Sequence, residues 1–140
     1  MKTIRSLAVA LACGTAAVFA AAEKSPPADL LGDWRGTSKC VNLAAAPACK
    51  DEIVLYHFLP VEGAADKMLL KADKIVNGAA EFMGEFELHR ETATGLWESE
   101  LQTPRVHLLW SFGFAGRQMS GTLVSLPDRT LLRKVEVTKN

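Results

Sequence analysis

The sequence predicts an all-β protein, an eight-stranded antiparallel up-and-down β-barrel, on three observations. Short runs rich in β-branched and aromatic residues recur at roughly 12-residue spacing, each closed by a Gly, Pro, Asn or Asp turn signal. Those runs alternate apolar and charged residues, the period-two pattern of strands with one dry face. After residue 22, no window carries a long amphipathic helical pattern. Closure into a barrel would remove the free edges that an open sheet leaves.

The first 22 residues stand apart from this pattern. MKTIRSLAVALACGTAAVFAAAEKS opens with two basic residues, Lys2 and Arg5, and continues through an apolar stretch from Leu7 to Phe19, short for a bilayer span. Ala20-Ala21-Ala22 supplies the small residues of a cleavage site, so residues 1–22 are expected to be a signal peptide. The mature chain is then expected in the periplasm or secreted, with no transmembrane span. Cys13, in LALACG, raises a lipoprotein anchor as the alternative, but Leu11, Ala10 and the apolar run beyond the Cys match that signal poorly. Residues 23–30, EKSPPADL, hold two prolines and no apolar period and read as an extended lead-in, leaving residues 31–140 as one barrel domain.

Each strand of that domain carries its own signal. The first runs from Asp33 to Cys40, and the second, EIVLYHFL, from Glu52 to Leu59. After a turn over Pro60 to Asp66, the third runs from Lys67 to Val76 into Asn77-Gly78, the strongest short hairpin signal in the chain. The fourth, Ala80 to Arg90, sets Phe82, Gly84, Phe86 and Leu88 on one face against Glu81, Glu85, Glu87 and His89 on the other. The fifth is Leu96 to Gln102, closed by Thr103-Pro104. In the sixth, Arg105 to Phe114, the apolar face is Val106, Leu108, Trp110, Phe112 and Phe114. Met119, Gly121 and Leu123 line up in the seventh, Arg117 to Ser125, and the eighth spans Thr130 to Thr138. An outer-membrane barrel would need a polar lumen inside an apolar lipid-facing band, and the large aromatic face here argues for the reverse.

Cleavage removes Lys2 and Arg5 and leaves 14 basic residues against 16 acidic. No basic run remains, so neither nucleic acid nor an anionic membrane surface is expected as a partner. Cys40 and Cys49 also remain, and an even pair in an exported chain reads as a disulfide. No metal and no cofactor is expected. His57, His89 and His107 fall on three strands, two of them on charged faces, and the chain has no nucleophile motif or phosphate loop. Adjacent Asp51 and Glu52 point to opposite faces, which suits a charged strand entry better than a catalytic pair. Asp73 and Lys74, beside the Asn77-Gly78 turn, read as structural too.

The apolar face is rich in large rings: Tyr56 or Phe58, Phe82, Phe86, Trp97, Trp110, Phe112 and Phe114 are expected inside. A barrel of eight strands either fills itself with such side chains or holds one small ligand. Gly84 and Gly121 are small inward positions that make room, and flexible Met68 and Met119 suit a pocket wall. The candidate ligand-pocket residues are Tyr56, Phe86, Trp110 and Phe112.

Gly32-Asp33-Trp34 at the head of an eight-strand meander resembles the lipocalin-like proteins of the calycin superfamily. The resemblance implies that Gly32 and Trp34 close one end of the barrel and that an Arg of the last strand, matched by Arg133, packs on the Trp. Parity adds an independent point: Arg133 shares the apolar face of its strand with Leu131, Val135 and Val137, and a guanidinium there needs a partner. The runs GDWRGTSKC, CKDEIVLYH, ADKIVNG, FMGEFEL, MSGTLVSLPD and LLRKVEV are similar to an uncharacterised family of small exported bacterial proteins, over nearly all of the mature chain. Departures from the lipocalin pattern are the short chain, a disulfide-tied segment in place of the long first loop, and a missing terminal helix.

Three functions are in view. The first is a periplasmic carrier of a small apolar ligand. The second is a filled barrel acting on a periplasmic protein partner, such as a protease or lysozyme inhibitor, with EKSPPADLL in the role of the inserted segment that the resemblance to calycin-like inhibitors implies. Their cysteines are spaced more widely than Cys40 and Cys49. Third comes an enzyme, for which the acids and histidines form no constellation.

Overall fold

The computed structural model describes residues 25–140; the expected signal peptide and Cys13 lie outside the described residues. Eight antiparallel strands close into a barrel in sequence order: β1 (Gly32–Cys40), β2 (Glu52–Val61), β3 (Ala64–Val76), β4 (Ala79–Arg90), β5 (Trp97–Gln102), β6 (His107–Ala115), β7 (Gln118–Ser125) and β8 (Thr130–Lys139). This architecture is compatible with a lipocalin-like fold. Among the described residues no helix is long and apolar enough to cross a membrane.

Alternation sends every second side chain inward, and Trp34, Phe58, Met68, Leu70, Leu88 and Phe112 are completely buried there. The Asn77-Gly78 turn forms as the dipeptide dictates, with φ of 51° and 82°, the left-handed pair that matches the twist of a hairpin. β3 begins at Ala64, three residues before Lys67, because Glu62-Gly63 closes a tight hairpin where a longer turn was expected. Cys40 and Cys49 are disulfide-bonded, with Cα atoms 6.0 Å apart.

Three side chains break the simple alternation. In β4 the pairing slips: Ala72 faces Gly84 but Asp73 faces Phe82, so Met83 is an extra residue and the strand bulges. Phe82, expected inside, is therefore turned out and is 65% exposed. Val106, expected on the inner face of the sixth strand, precedes β6. Its amide donates to Thr103 Oγ1 at 3.1 Å and its carbonyl accepts from the Thr103 amide at 2.8 Å, so it belongs to an exposed turn. In β8, Leu123 faces Arg133 while Val124 faces Leu131, which makes Leu132 the extra residue. Leu132 is buried, beside Ala46, Pro47 and Cys49 of the disulfide loop.

One end of the barrel is shut. Residues 27–30, expected within the extended lead-in of 23–30, instead form a turn in which the Leu30 amide donates to the Pro27 carbonyl at 3.0 Å. Leu30 and Leu31 pack on the core, and Gly32, at φ 108°, turns the chain from this plug into β1. The Trp34 indole N–H donates to the Leu30 carbonyl at 3.0 Å, and its ring meets Phe58 and Phe114 edge-on. Lys139, paired with Trp34 across β1 and β8, supplies the cation over that ring at 5.8 Å. Arg133 does not reach it. Its strand partner is Cys40, six residues along β1 and roughly 20 Å from Trp34, at the opposite end of the barrel. Gly36 has a separate reason: a Cβ there would fall 2.0 Å from the Glu136 carbonyl oxygen and 2.7 Å from Val137 Cα.

Candidate functional site

The interior is filled at the Trp34 end and hollow at the Arg133 end. The hollow has a volume of about 410 Å³, within the range of small-molecule sites. Tyr56, Phe86 and Trp110 line it, with Met83 and Leu101 at its rim and Ser38, Glu52 and Arg133 at its mouth. Space opens here because Ala72 and Gly84 face each other across β3 and β4, and a Cβ at Gly84 would meet nothing within 4 Å. Gly121 behaves oppositely. The Phe112 ring covers it, 2.5 Å from where a Cβ would stand, so that small position is already filled.

Phe86 and Trp110 present nearly parallel rings, 14° apart with centroids separated by 6.5 Å. Trp110 in turn lies 7° from parallel with Phe112 at 5.6 Å. Phe112, expected as a pocket residue, is fully buried behind Trp110 and does not line the cavity. Tyr56 stands edge-on to Phe112 with 4% of its surface exposed. Burial pushes its phenol well above the ordinary value of 10.0, so Tyr56 is a neutral hydroxyl beside Ser38.

Arg133 points inward, as parity requires, and is consumed by its neighbours. Nη1 donates to Ser38 Oγ at 2.5 Å and to the Ser38 carbonyl and Glu52 Oε2 at 3.4 Å; Nη2 donates to the Lys50 carbonyl at 2.5 Å. These bonds tie β8 to β1 and to the entry of β2. Asp51, one residue before Glu52, faces the other way and accepts the Cys40 amide at 2.8 Å. The two adjacent acids thus do separate structural tasks, and Arg133 is a mouth residue bearing on the cavity.

The wall between β4 and β5 is incomplete. β3 and β4 pair at ten positions, whereas β4 and β5 pair only at His89–Glu98 and Arg90–Trp97. Toward the mouth no ladder joins them, and Met83, Gly84, Glu85 and Phe86 on one bank face Ser99, Glu100 and Leu101 on the other along the side of the cavity. Ser38 and Leu101 are legible by parity as inward positions. Met83 is not, because only the bulge brings it to the rim.

The histidines lie on the outer surface in three separate settings. His57 bridges two carboxylates, Nδ1 to Asp33 at 2.7 Å and Nε2 to Asp73 at 3.1 Å. Both contacts need an N–H donor, and the Asp33 bond in particular holds the imidazole above its ordinary 6.5. His107 Nε2 contacts Glu100. His89, Glu91 and Glu98 place one ligand atom each within 4.8 Å of the others, while Glu98 also accepts the Ser111 hydroxyl at 3.0 Å. Comparison with protein-family models, with curated proteins and with solved structures returned no match to this chain.

Proposed function

We propose that this protein is a non-catalytic carrier, a lipocalin-like barrel working outside the cytoplasm that holds one small, flat, largely apolar ligand. The cavity of about 410 Å³ beside the near-parallel Phe86 and Trp110 rings carries the reading. Flat rings offer a planar guest large contact area at little entropic cost, and the buried neutral Tyr56 hydroxyl offers one directional polar contact. The bonded Cys40–Cys49 pair is compatible with an oxidising compartment, which agrees with the export signal read in residues 1–22.

The test is a titration of the chain from residue 23 onward with the neutral fluorophore N-phenylnaphthylamine. Saturable binding, with tryptophan-to-probe energy transfer that weakens in Trp110→Phe, is the expected result. Native mass spectrometry of protein taken gently from its own compartment then gives the mass of the natural guest. A probe signal that does not saturate, or that survives unchanged when the cavity is filled by substitution at Gly84, overturns the reading.

A further inference from the structure

The open seam between β4 and β5 has a cause that also says what could fill it. Continuing the register of the two paired positions would set Leu88 against Ser99, Glu87 against Glu100, Phe86 against Leu101 and Glu85 against Gln102. On the inner face, Phe86 and Leu101 are compatible. On the outer face, Glu87 would meet Glu100 directly, with Glu85 and Glu98 nearby, and like charges opposite one another destabilise a strand pair. Lys67 bonds Glu87 at 3.1 Å from the β3 side and His107 contacts Glu100 from the β6 side, so neither partner enters the gap itself. Beyond His89–Glu98 each bank keeps a backbone edge without a ladder partner, and exposed Met83 and Leu101 border the gap. A closed barrel ordinarily abolishes such edges.

We propose that this seam is a strand-insertion site for an extended peptide that alternates basic and apolar residues. An inserted strand would pair with β4 on one side and β5 on the other at the usual spacing of about 4.8 Å. Its basic side chains, pointing outward, stand between the Glu85–Glu87 row and the Glu98–Glu100 row and remove the repulsion that keeps the banks apart. The apolar ones point inward over Phe86, Gly84 and Leu101 into the open side of the cavity. The free part of β5, residues 99–102, limits the paired segment to about four to six residues. A second copy of this chain is a poor occupant, because antiparallel pairing of β4 with itself about Gly84 would set Glu81 against Glu87. Peptide binding does not require a small ligand, although its inward side chains border the same cavity.

The test uses the chain from residue 23 onward and three short peptides at up to about 1 mM: an alternating Lys-Leu peptide, the same composition with Pro replacing alternate Leu, and an alternating Glu-Leu peptide. Binding is followed by fluorescence anisotropy, and amide hydrogen exchange locates it. The Lys-Leu peptide is expected to bind and to slow exchange in 83–88 and 99–102, while the Pro-containing and acidic peptides bind at least tenfold more weakly. Glu100→Lys is expected to zip the seam, slowing exchange at the same amides without peptide and lowering peptide affinity at least tenfold. Equal binding of the Pro-containing peptide would reduce the site to simple charge attraction and overturn strand insertion. So would absence of binding by any peptide, or seam-facing amides in 83–88 and 99–102 already as protected as those of the β3–β4 ladder. N-phenylnaphthylamine titrated in parallel reports the cavity alone, so failure of either proposal is seen independently of the other.

Discussion

Gly84→Leu is the substitution on which the cavity reading turns. Gly84 faces inward opposite Ala72, and a Cβ there meets nothing within 4 Å, so the new side chain enters empty space. Replacing Gly inside a strand removes excess unfolded-state entropy, about 0.5–1 kcal/mol. Full burial of a Leu contributes about 1.5–3 kcal/mol, and a site that opens to water at the rim realises roughly half of that. Together the variant should gain about 1.5–2 kcal/mol, which for a domain of this size raises Tm by roughly 5–8 °C. The same side chain occupies the space between Phe86 and Tyr56, so affinity for N-phenylnaphthylamine should fall at least tenfold, about 1.4 kcal/mol. Differential scanning calorimetry and the fluorescence titration measure the two effects on one sample. A lower Tm would mean that the region around Gly84 is already packed. Unchanged probe affinity would place the probe elsewhere.

Three further outcomes test the surrounding structure. Gly121→Ala drives a methyl to 2.5 Å from the fully buried Phe112 ring, and urea denaturation should show a loss of about 1–3 kcal/mol, the cost of overpacking. His57→Gln removes a doubly bonded imidazolium. Because its folded pKa is raised, wild-type His57 contributes fully below the ordinary 6.5 and the contribution is lost as pH rises through the folded value, so wild-type stability should decline over that interval relative to the variant. The difference should reach about 1 kcal/mol at most, since the partners are partly exposed, and Tm measured against pH reads it. Replacing Cys40 and Cys49 together by Ser opens a loop with a sequence separation of 9 and should cost about 2.5–3 kcal/mol by chain entropy, again read in urea.

Trp34, Arg133 and Gly84 show how far local pattern carries. Trp34 closing one end follows from the resemblance, and the plug at 27–31 that receives its N–H explains why Gly32 must precede it. Arg133 was placed on the right face by parity, yet its distance from Trp34 depends on strand register: the residue opposite Trp34 is Lys139. Small inward glycines suggest space, but Gly84 leaves it and Gly121 does not, because only Gly121 has a ring on the neighbouring strand lying over it.

Period-two alternation, turn dipeptides and a cysteine pair are properties of neighbouring residues, so the all-β class, eight strands in meander order, the disulfide and most of the inner face are legible in them. The bulges at Met83 and Leu132 arise from how two strands slip past one another, a choice between pairings that no single strand records. The short β4–β5 ladder is likewise invisible strand by strand, since Glu87 and Glu100, thirteen residues apart in sequence, come to opposite banks only when the barrel closes. Tertiary structure alone therefore decided where the hollow lies, which aromatics line it, and through which wall it opens.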